Sequence, residues 1–321
     1  MKNDVLENLN RTQTEAVLYF DSPLLIIAGA GSGKTSVIAH KIAYLIKEKD
    51  YPPNNILGVT FTNRAADEMR NRIESLTGIN AGNFNISTFH SFGLRILREA
   101  GHISGYDAAW QIIDDIDQKK VIERLIKENF EYFTNDMLED VRKKISLAKM
   151  NLYYPNNPDF LLQKGFNSDE VKIFSLYYDY QKRSKVWDYE DLVSLPVKLL
   201  QNYEDLREKY AGRFRYVLVD EFQDTNPNQY ELIKEIAGKH NNITVVGDDD
   251  QAIYSWRGAS MRFLFNFEHD FPRTRIIKLE QNYRSTRQIL DFANDVIAGN
   301  TFRRKKSMWS EKKEGAPVFI L

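Results

Sequence analysis

Leu24-Leu25-Ile26-Ile27-Ala28-Gly29-Ala30-Gly31-Ser32-Gly33-Lys34-Thr35 is the stretch from which the rest of the chain can be read. Its four large apolar residues read as a buried strand, and the Gly- and Ala-dense run after them as a loop. Lys34-Thr35 then opens a helix that sets Ile38, Ile42, Leu45 and Ile46 on one face. Strand, small-residue loop and helix in that order form a phosphate loop. Backbone N–H groups close around a di- or triphosphate, with the positive end of the helix dipole beneath it. In that arrangement Lys34 reaches the β- and γ-phosphates and the Thr35 hydroxyl sits on Mg²⁺. Ala28 stands where the general pattern has Gly, which is compatible if the position needs no positive φ.

Composition sets the frame around this loop. At 321 residues the chain is long for one core, so two domains, or one with a large insertion, are expected. Hydrophobic residues at 42% and charged residues at 28% describe a globular protein. No apolar run approaches the roughly 20 residues of a membrane helix, and Met1-Lys2-Asn3-Asp4 leads into no secretory signal. The expectation is a cytoplasmic protein without a membrane partner. With no Cys there is no disulfide, thiolate metal site or cysteine nucleophile. A net charge of −1 means that any nucleic-acid contact must come from a local groove.

Working outward, residues 10–20 read as a helix capped by Asn10, in which Gln13 alone is an unremarkable exposed glutamine. Ile56–Phe61 is a second strand ending in Thr62-Asn63-Arg64, followed by a helix over 63–76. Phe84–Thr88 is a third, leading to Phe89-His90-Ser91 and a helix to about 100. Alternation of this kind gives a parallel sheet with helices on both faces, and ligands collect at the carboxyl ends of its strands. From about 105 to 205 the pattern becomes helical, with Ile112, Ile116, Val121 and Leu125, then Val171, Phe174 and Tyr178, at helix spacing. Asp188-Tyr189-Glu190-Asp191 within it reads as an N-cap with an acidic first turn. The α/β pattern resumes with strands at Tyr216–Val219, Ile243–Val246 and Arg275–Leu279, and a last strand is expected over 316–321. Arg303-Arg304-Lys305-Lys306 reads as a solvated basic loop. The expected domains are 1–104 and 206–278 as one α/β domain, 105–205 as an all-helical insertion, and 279–321 as the start of a second α/β domain.

Three strand ends carry chemistry. Asp220 and Glu221 follow Val219 directly. Asp220 can hold Mg²⁺, and Glu221 can take the proton of a water in line with the γ-phosphorus. Gln251 can bind the γ-phosphate and report its loss. Tyr254, Trp256 and Arg257 offer a stacking surface for single-stranded bases. Arg284 after Tyr283 is a candidate arginine finger, with Tyr283 against the adenine.

The motifs AGAGSGKT (Ala28–Thr35), VDEFQDT (Val219–Thr225), VGDDDQAIYSWRGA (Val246–Ala259) and LEQNYRST (Leu279–Thr286) together resemble the superfamily 1 DNA helicases of the UvrD/PcrA/Rep type. LNRTQ (Leu9–Gln13) resembles that family's Q motif, and the resemblance turns Gln13 into an adenine reader. Thr60–Ala66 and Thr88–Ser91 resemble its DNA-contacting motifs. The resemblance implies a RecA-like P-loop NTPase domain with a helical insertion and a second RecA-like domain across an ATP cleft. It implies ATP- and Mg²⁺-driven movement along single-stranded DNA, 3′ to 5′, with duplex separation at single/double-strand junctions and repair or replication proteins as candidate partners. Lys34, Thr35, Asp220, Glu221, Gln251 and Arg284 then handle the triphosphate, and Ala28, Gly29, Ala30, Gly31, Ser32, Gly33 and Ser36 complete its cradle. Gln13 and Tyr283 bind the base. Phe61, Thr62, Asn63, Arg64, Thr88, His90, Tyr254, Trp256 and Arg257 face the strand.

Two departures are visible. Ser36 stands where these helicases usually carry Arg near the base, which thins the expected base contact. Residues 279–321 are too few for an independent core, so an N-terminal half of a longer enzyme is expected, and a monomer in this form. Two other readings stand beside the helicase: an ATP-gated DNA- or protein-binding module that unwinds nothing, and the motor subunit of a helicase–nuclease complex.

Overall fold

The computed structural model describes residues 4–132, 134–300, 303–312 and 315–319. In chain order, α1 (Arg11–Leu18), β1 (Leu24–Ala28), α2 (Lys34–Glu48), β2 (Ile56–Thr60), α3 (Asn63–Thr77) and β3 (Asn85–Thr88) come first. The helical stretch follows with α4 (Phe89–Ala100), β4 (Gln111–Ile112), α5 (Asp115–Asn129), α6 (Asn135–Met150), α7 (Pro158–Gln163), α8 (Ser168–Ser184), β5 (Val186–Trp187), α9 (Asp191–Asn202) and α10 (Glu204–Arg213). The chain then returns to strands with β6 (Tyr216–Val219), α11 (Pro227–Ala237), β7 (Ile243–Gly247), α12 (Arg262–Asp270), β8 (Arg275–Leu279) and α13 (Arg287–Ala298).

Two compact units result. The first takes the described residues of Met1–Thr88, Lys209–Thr225 and Ile236–Leu321; the second takes Phe89–Glu208 and Asn226–Glu235. A six-stranded sheet in the order β3-β2-β6-β7-β1-β8 forms the first unit, and every pairing in it is parallel. β1, β2, β6 and β7 are buried along their whole length. Continuous burial of that kind is what apolar runs such as Leu24–Ile27 require, because both faces of a parallel sheet are covered. The parallel arrangement brings the carboxyl ends of β1, β2, β6, β7 and β8 to one edge. That edge carries the site.

The described residues after β8 group with this first unit. Asn282 N–H donates to the Trp309 carbonyl at 2.7 Å, Trp309 N–H to the Glu280 carbonyl at 3.0 Å, and Tyr283 N–H to the Gly31 carbonyl at 2.9 Å. The strand expected over 316–321 does not form across residues 316–319, and 320–321 lie outside the described residues. A lone apolar segment without a paired neighbour leaves its backbone groups to water and gains nothing from an extended form.

The second unit is helical, with one correction: β4 and β5 pair in parallel over two residues each, too short a ladder for any sequence period to reveal. Val121 and Leu125 are buried as expected, whereas Ile112 and Ile116 are exposed. The acidic run at its centre is more than a helix cap. Asp188 Oδ1 does accept from Asp191 N–H at 3.1 Å, yet Asp188 and Asp191 are also buried around Lys149. Lys149 Nζ lies 2.7 Å from Asp188 and 2.8 Å from Asp191, and also bonds Gln181 at 2.9 Å. Tyr177 donates to Asp188 at 2.9 Å. Lys149 therefore has all three of its N–H donors engaged by α8, β5–α9 and their connection, and it pins those elements together.

Candidate active site

The phosphate loop has the backbone its glycines allow. Gly31 and Gly33 adopt φ of 68° and 86°, which a side chain resists, while Ala28 ends β1 in extended backbone. Ser32 Oγ closes the turn onto the Gly29 carbonyl at 2.8 Å. No side chain caps α2 after Gly33, so the first N–H groups of this 15-residue helix face the loop. Such an end is suited to an anion.

β6 delivers the carboxylates to this loop. Thr35 Oγ1 donates to Asp220 Oδ2 at 2.9 Å, and Lys34 Nζ lies 3.6 Å from Glu221 Oε2. Glu221 stands at φ 50°. A non-glycine residue in that region carries strain that surrounding contacts must hold. Burial first, then the charge of Glu221, pushes the Asp220 carboxyl up to about 6. The same two causes push Asp224 up to about 6. Asp224 Oδ1 is buried with no hydrogen-bond partner among the described residues. A hydroxyl and a buried carboxylate in contact, short of positive charge, are a donor set that fits Mg²⁺.

Gln251, after β7, bonds Asp248 through its side-chain Nε2 and its own N–H, the latter at 3.0 Å. A cleft of about 280 Å³ is lined by Thr35, Asp220, Glu221 and Gln251 together with Phe61 and Tyr254. The rings of Phe61 and Tyr254 stack at 5.4 Å and 22°, and Trp256 lies 6.3 Å from Tyr254 with 68% of its surface exposed. Two residue types singled out for different ligands thus line one space.

The far corner of the loop gathers the residues expected at the base. Gln13 is not an exposed helical side chain: it is buried, accepts from Asn10 N–H at 2.9 Å and donates to the Ser32 carbonyl at 2.9 Å. Asn10 Nδ2 in turn reaches Gln281 at 2.9 Å and the Tyr283 hydroxyl at 2.8 Å. The helix bearing Gln13 is held by Lys41 of α2, a buried ammonium that bonds the carbonyls of Ala16 and Tyr19. Burial pulls Lys41 down to about 7. Arg284 is exposed beside Gly31, where an added Cβ would come within 2.8 Å of the Arg284 Cβ.

The remaining strand-facing candidates scatter. Thr62 caps α3 by accepting from Ala65 N–H at 3.1 Å, and Asn63 and Arg64 are exposed on its first turn, Arg64 bonded to Glu68 at 2.8 Å. Thr88 is buried at the end of β3. His90 belongs to the helical unit, edge-on to Tyr189 at 6.2 Å, and burial lowers its pKa. Arg257 lies in the helical turn Ser255–Arg257, and its side chain falls outside the described residues.

Three residues of this edge escaped sequence reasoning. Gln223 donates to Glu221 at 2.9 Å and to Asp224 at 3.2 Å, and accepts from Asp248 N–H at 2.9 Å, so its carboxamide links the β6 and β7 ends. Asn282 reaches the Ala30 carbonyl at 2.6 Å and receives the N–H groups of Arg284 and Ser285 at 2.7 Å each. Both sit inside quoted motifs, and an amide side chain in a strand-end loop was the available signal. Lys306 is the third. Of the basic run expected in solvent, Lys305 is exposed, whereas Lys306 is turned inward and buried against Asp248, Asp249 and Asp250.

Comparison with known proteins places this geometry in context. The model of the UvrD/REP helicase N-terminal domain matches residues 9–272. The chain is 44% identical over 322 residues to the ATP-dependent DNA helicase PcrA of Bacillus subtilis (strain 168), covering 99% of this chain and 43% of that protein. It is 43% identical to PcrA of Staphylococcus epidermidis and 41% identical to PcrA of Staphylococcus aureus, in each case over 98% of this chain. The chain spans about 43% of the length of these relatives. With a phosphate loop, paired carboxylates and a stacked aromatic pair on one parallel sheet edge, and a family match across most of its length, the chain belongs to the UvrD/REP helicase N-terminal domain family.

Proposed function

We propose that this chain is the ATP-hydrolysing, strand-contacting part of a 3′–5′ DNA translocase and helicase. The observation that carries the reading is the single cleft shared by Thr35, Asp220, Glu221 and Gln251 with the Phe61–Tyr254 stack. A change at the γ-phosphate end then has a direct route to the rings against which bases would stack. Lys34 and the N–H groups of α2 bind the β- and γ-phosphates. Thr35 and Asp220 hold Mg²⁺, which when bound neutralises charge on the phosphate oxygens. Glu221 accepts the proton of the attacking water, and Gln223 orients that carboxylate. Gln251 contacts the γ-phosphate, Arg284 neutralises developing charge, and Tyr283 lies along the base near Gln13. Phe61, Tyr254, Trp256 and Arg257 hold single-stranded DNA, with roughly 1–3 kcal/mol for each stacked base. The setting is the cytoplasm, where single-strand/duplex junctions and repair or replication proteins are the partners.

The test is ATP hydrolysis with and without single-stranded DNA, in this chain and in a chain of the relatives' full length. Stimulation by DNA in the longer chain, lost in its Lys34→Ala variant, is the expected result. Equal, DNA-independent turnover in both chains would sink the translocase reading.

A further inference from the structure

The basic run Arg303–Lys306 does something that neither the phosphate loop nor the aromatic groove explains. After β7 the chain sets Asp248, Asp249 and Asp250 so that one oxygen of each lies within 4.8 Å of the others. Three carboxylates so close, two of them buried, call for a cation among them. The cation here is a side chain. Lys306 Nζ lies 2.9 Å from Asp248 Oδ1 and 2.6 Å from Asp250 Oδ2 and also bonds Asp249 Oδ1, with 2% of its side chain exposed. Three carboxylates match the three N–H donors of an ammonium. Arg303 adds a bond to Asp250 at 2.8 Å, and Arg304 donates its backbone N–H to Asp249.

The carboxylate of Asp248 is shared. One oxygen takes Lys306 and the Asp250 N–H at 3.1 Å, and the other takes the side-chain amide of Gln251. The backbone N–H of Asp248 bonds Gln223, which bonds Glu221, which faces Lys34. The strap itself continues onto the nucleotide loop. Met308 lies so close to Gly29 that an added Cβ there would stand 2.1 Å from the Met308 Sδ. Trp309 then pairs with the backbone of Glu280 and Asn282, two residues before Arg284.

We propose that Lys306 is a positioning residue for the γ-phosphate: by holding Asp248 it fixes the carboxamide of Gln251 and ties it, through the 303–309 strap, to the segment carrying Tyr283 and Arg284. This deepens the nucleotide reading above and rests on it. The strap thereby makes discrimination between a triphosphate and a diphosphate depend on a residue that touches neither. Removing the ammonium leaves that oxygen of Asp248 with the Asp250 N–H alone and loosens Gln251 with it, while the diphosphate contacts of Gly29–Thr35 stay as they are.

The test uses this chain and two probes with Mg²⁺, a non-hydrolysable ATP analogue with an imido-linked γ-phosphate and ADP, measured as dissociation constants by titration. In Lys306→Met the ratio of analogue to ADP affinity is expected to fall about tenfold, with ADP affinity held within about twofold, and Lys306→Arg is expected to restore most of it. Because Lys306→Met strands three carboxylates, the double variant K306M/D249N gives a charge-relieved version, and circular dichroism checks the fold of each. An unchanged ratio in a folded variant overturns the proposal, as does an equal loss of both ligands. Should the unsubstituted chain bind neither probe, the nucleotide reading itself falls, and the proposal with it.

Discussion

Replacing Glu221 by Gln should nearly abolish turnover and, in the absence of nucleotide and metal, make the fold more stable. One ammonium, Lys34, faces Asp220, Glu221 and Asp224. Burial and the charge of Glu221 raise Asp220 from its ordinary value of 3.8 to about 6. An acid raised in this way contributes stability that is fully present below its unfolded pKa and lost as pH rises through its folded one. For Asp220 the rise corresponds to roughly 3 kcal/mol, lost between about pH 4 and pH 6, most of it from burial. Gln at 221 removes the part due to its neighbour's charge, and relieves Asp224 likewise. Against this stands the lost attraction to Lys34 at 3.6 Å, but the Glu221 side chain is 36% exposed. Solvent limits such a pair to about 0–1 kcal/mol. The bond from Gln223 survives, since a carboxamide oxygen accepts as well as a carboxylate one. The net expectation is stabilisation by about 0.5–1 kcal/mol at pH 7, shrinking toward zero at pH 4, with hydrolysis slowed about 10²- to 10⁴-fold. Urea melts at both pH values in metal-free buffer read the first, and single-turnover hydrolysis reads the second. Normal hydrolysis by the variant removes Glu221 as the base. Destabilisation by more than 1 kcal/mol at pH 7 would show that the pair with Lys34 outweighs the crowding of carboxylates.

Other outcomes follow from the same contacts. Lys149→Met leaves Asp188 and Asp191 buried without their cation, and should cost the helical unit about 3–5 kcal/mol in denaturant melts; a loss under 1 kcal/mol would show the carboxylates simply take up protons. Burial and the neighbouring Asp188 raise Asp191 to about 7, so its contribution is present below about pH 4 and lost as pH rises through 7. Asp191→Asn should flatten that part of the pH–stability curve, and an unchanged slope would refute the assignment. Gly31→Ala places a Cβ 2.7 Å from the Asn282 amide at φ 68°, and should weaken triphosphate binding at least tenfold in a titration. Trp256→Ala should loosen single-stranded DNA by about 1–3 kcal/mol in a full-length chain while sparing nucleotide affinity; unchanged DNA affinity would return this exposed ring to a packing role.

The strands were legible because a parallel sheet buried on both faces demands unbroken apolar runs, and Leu24–Ile27, Tyr216–Val219 and Ile243–Val246 are such runs. Their carboxyl ends then had to share one edge, which is why Lys34, Thr35, Asp220, Glu221 and Gln251 could be named together from the sequence. The two-residue pair β4–β5 left no period to read. Ile112 and Ile116 matched a helical stripe but ended exposed, because spacing gives a face and not what covers it.

Charge was the least legible property. Along the chain Arg303–Lys306 looks like a solvated run and Asp248–Asp250 like part of a strand-end motif, and only the return of residues 303–309 to the β7 end makes them partners. Lys149 and the acidic pair at 188 and 191 met in the same way. Gln13, an ordinary helical side chain by its chemistry alone and an adenine reader only by resemblance, is set against Ser32 by the fold. The amino-acid sequence by itself determined the strand–loop–helix of Leu24–Thr35, the strands of the six-stranded sheet and the residue types at their ends, since these depend on residue type and local period. The tertiary structure alone decided which charges are buried against which, because an ion pair between residues far apart in sequence exists only once the chain has closed around it.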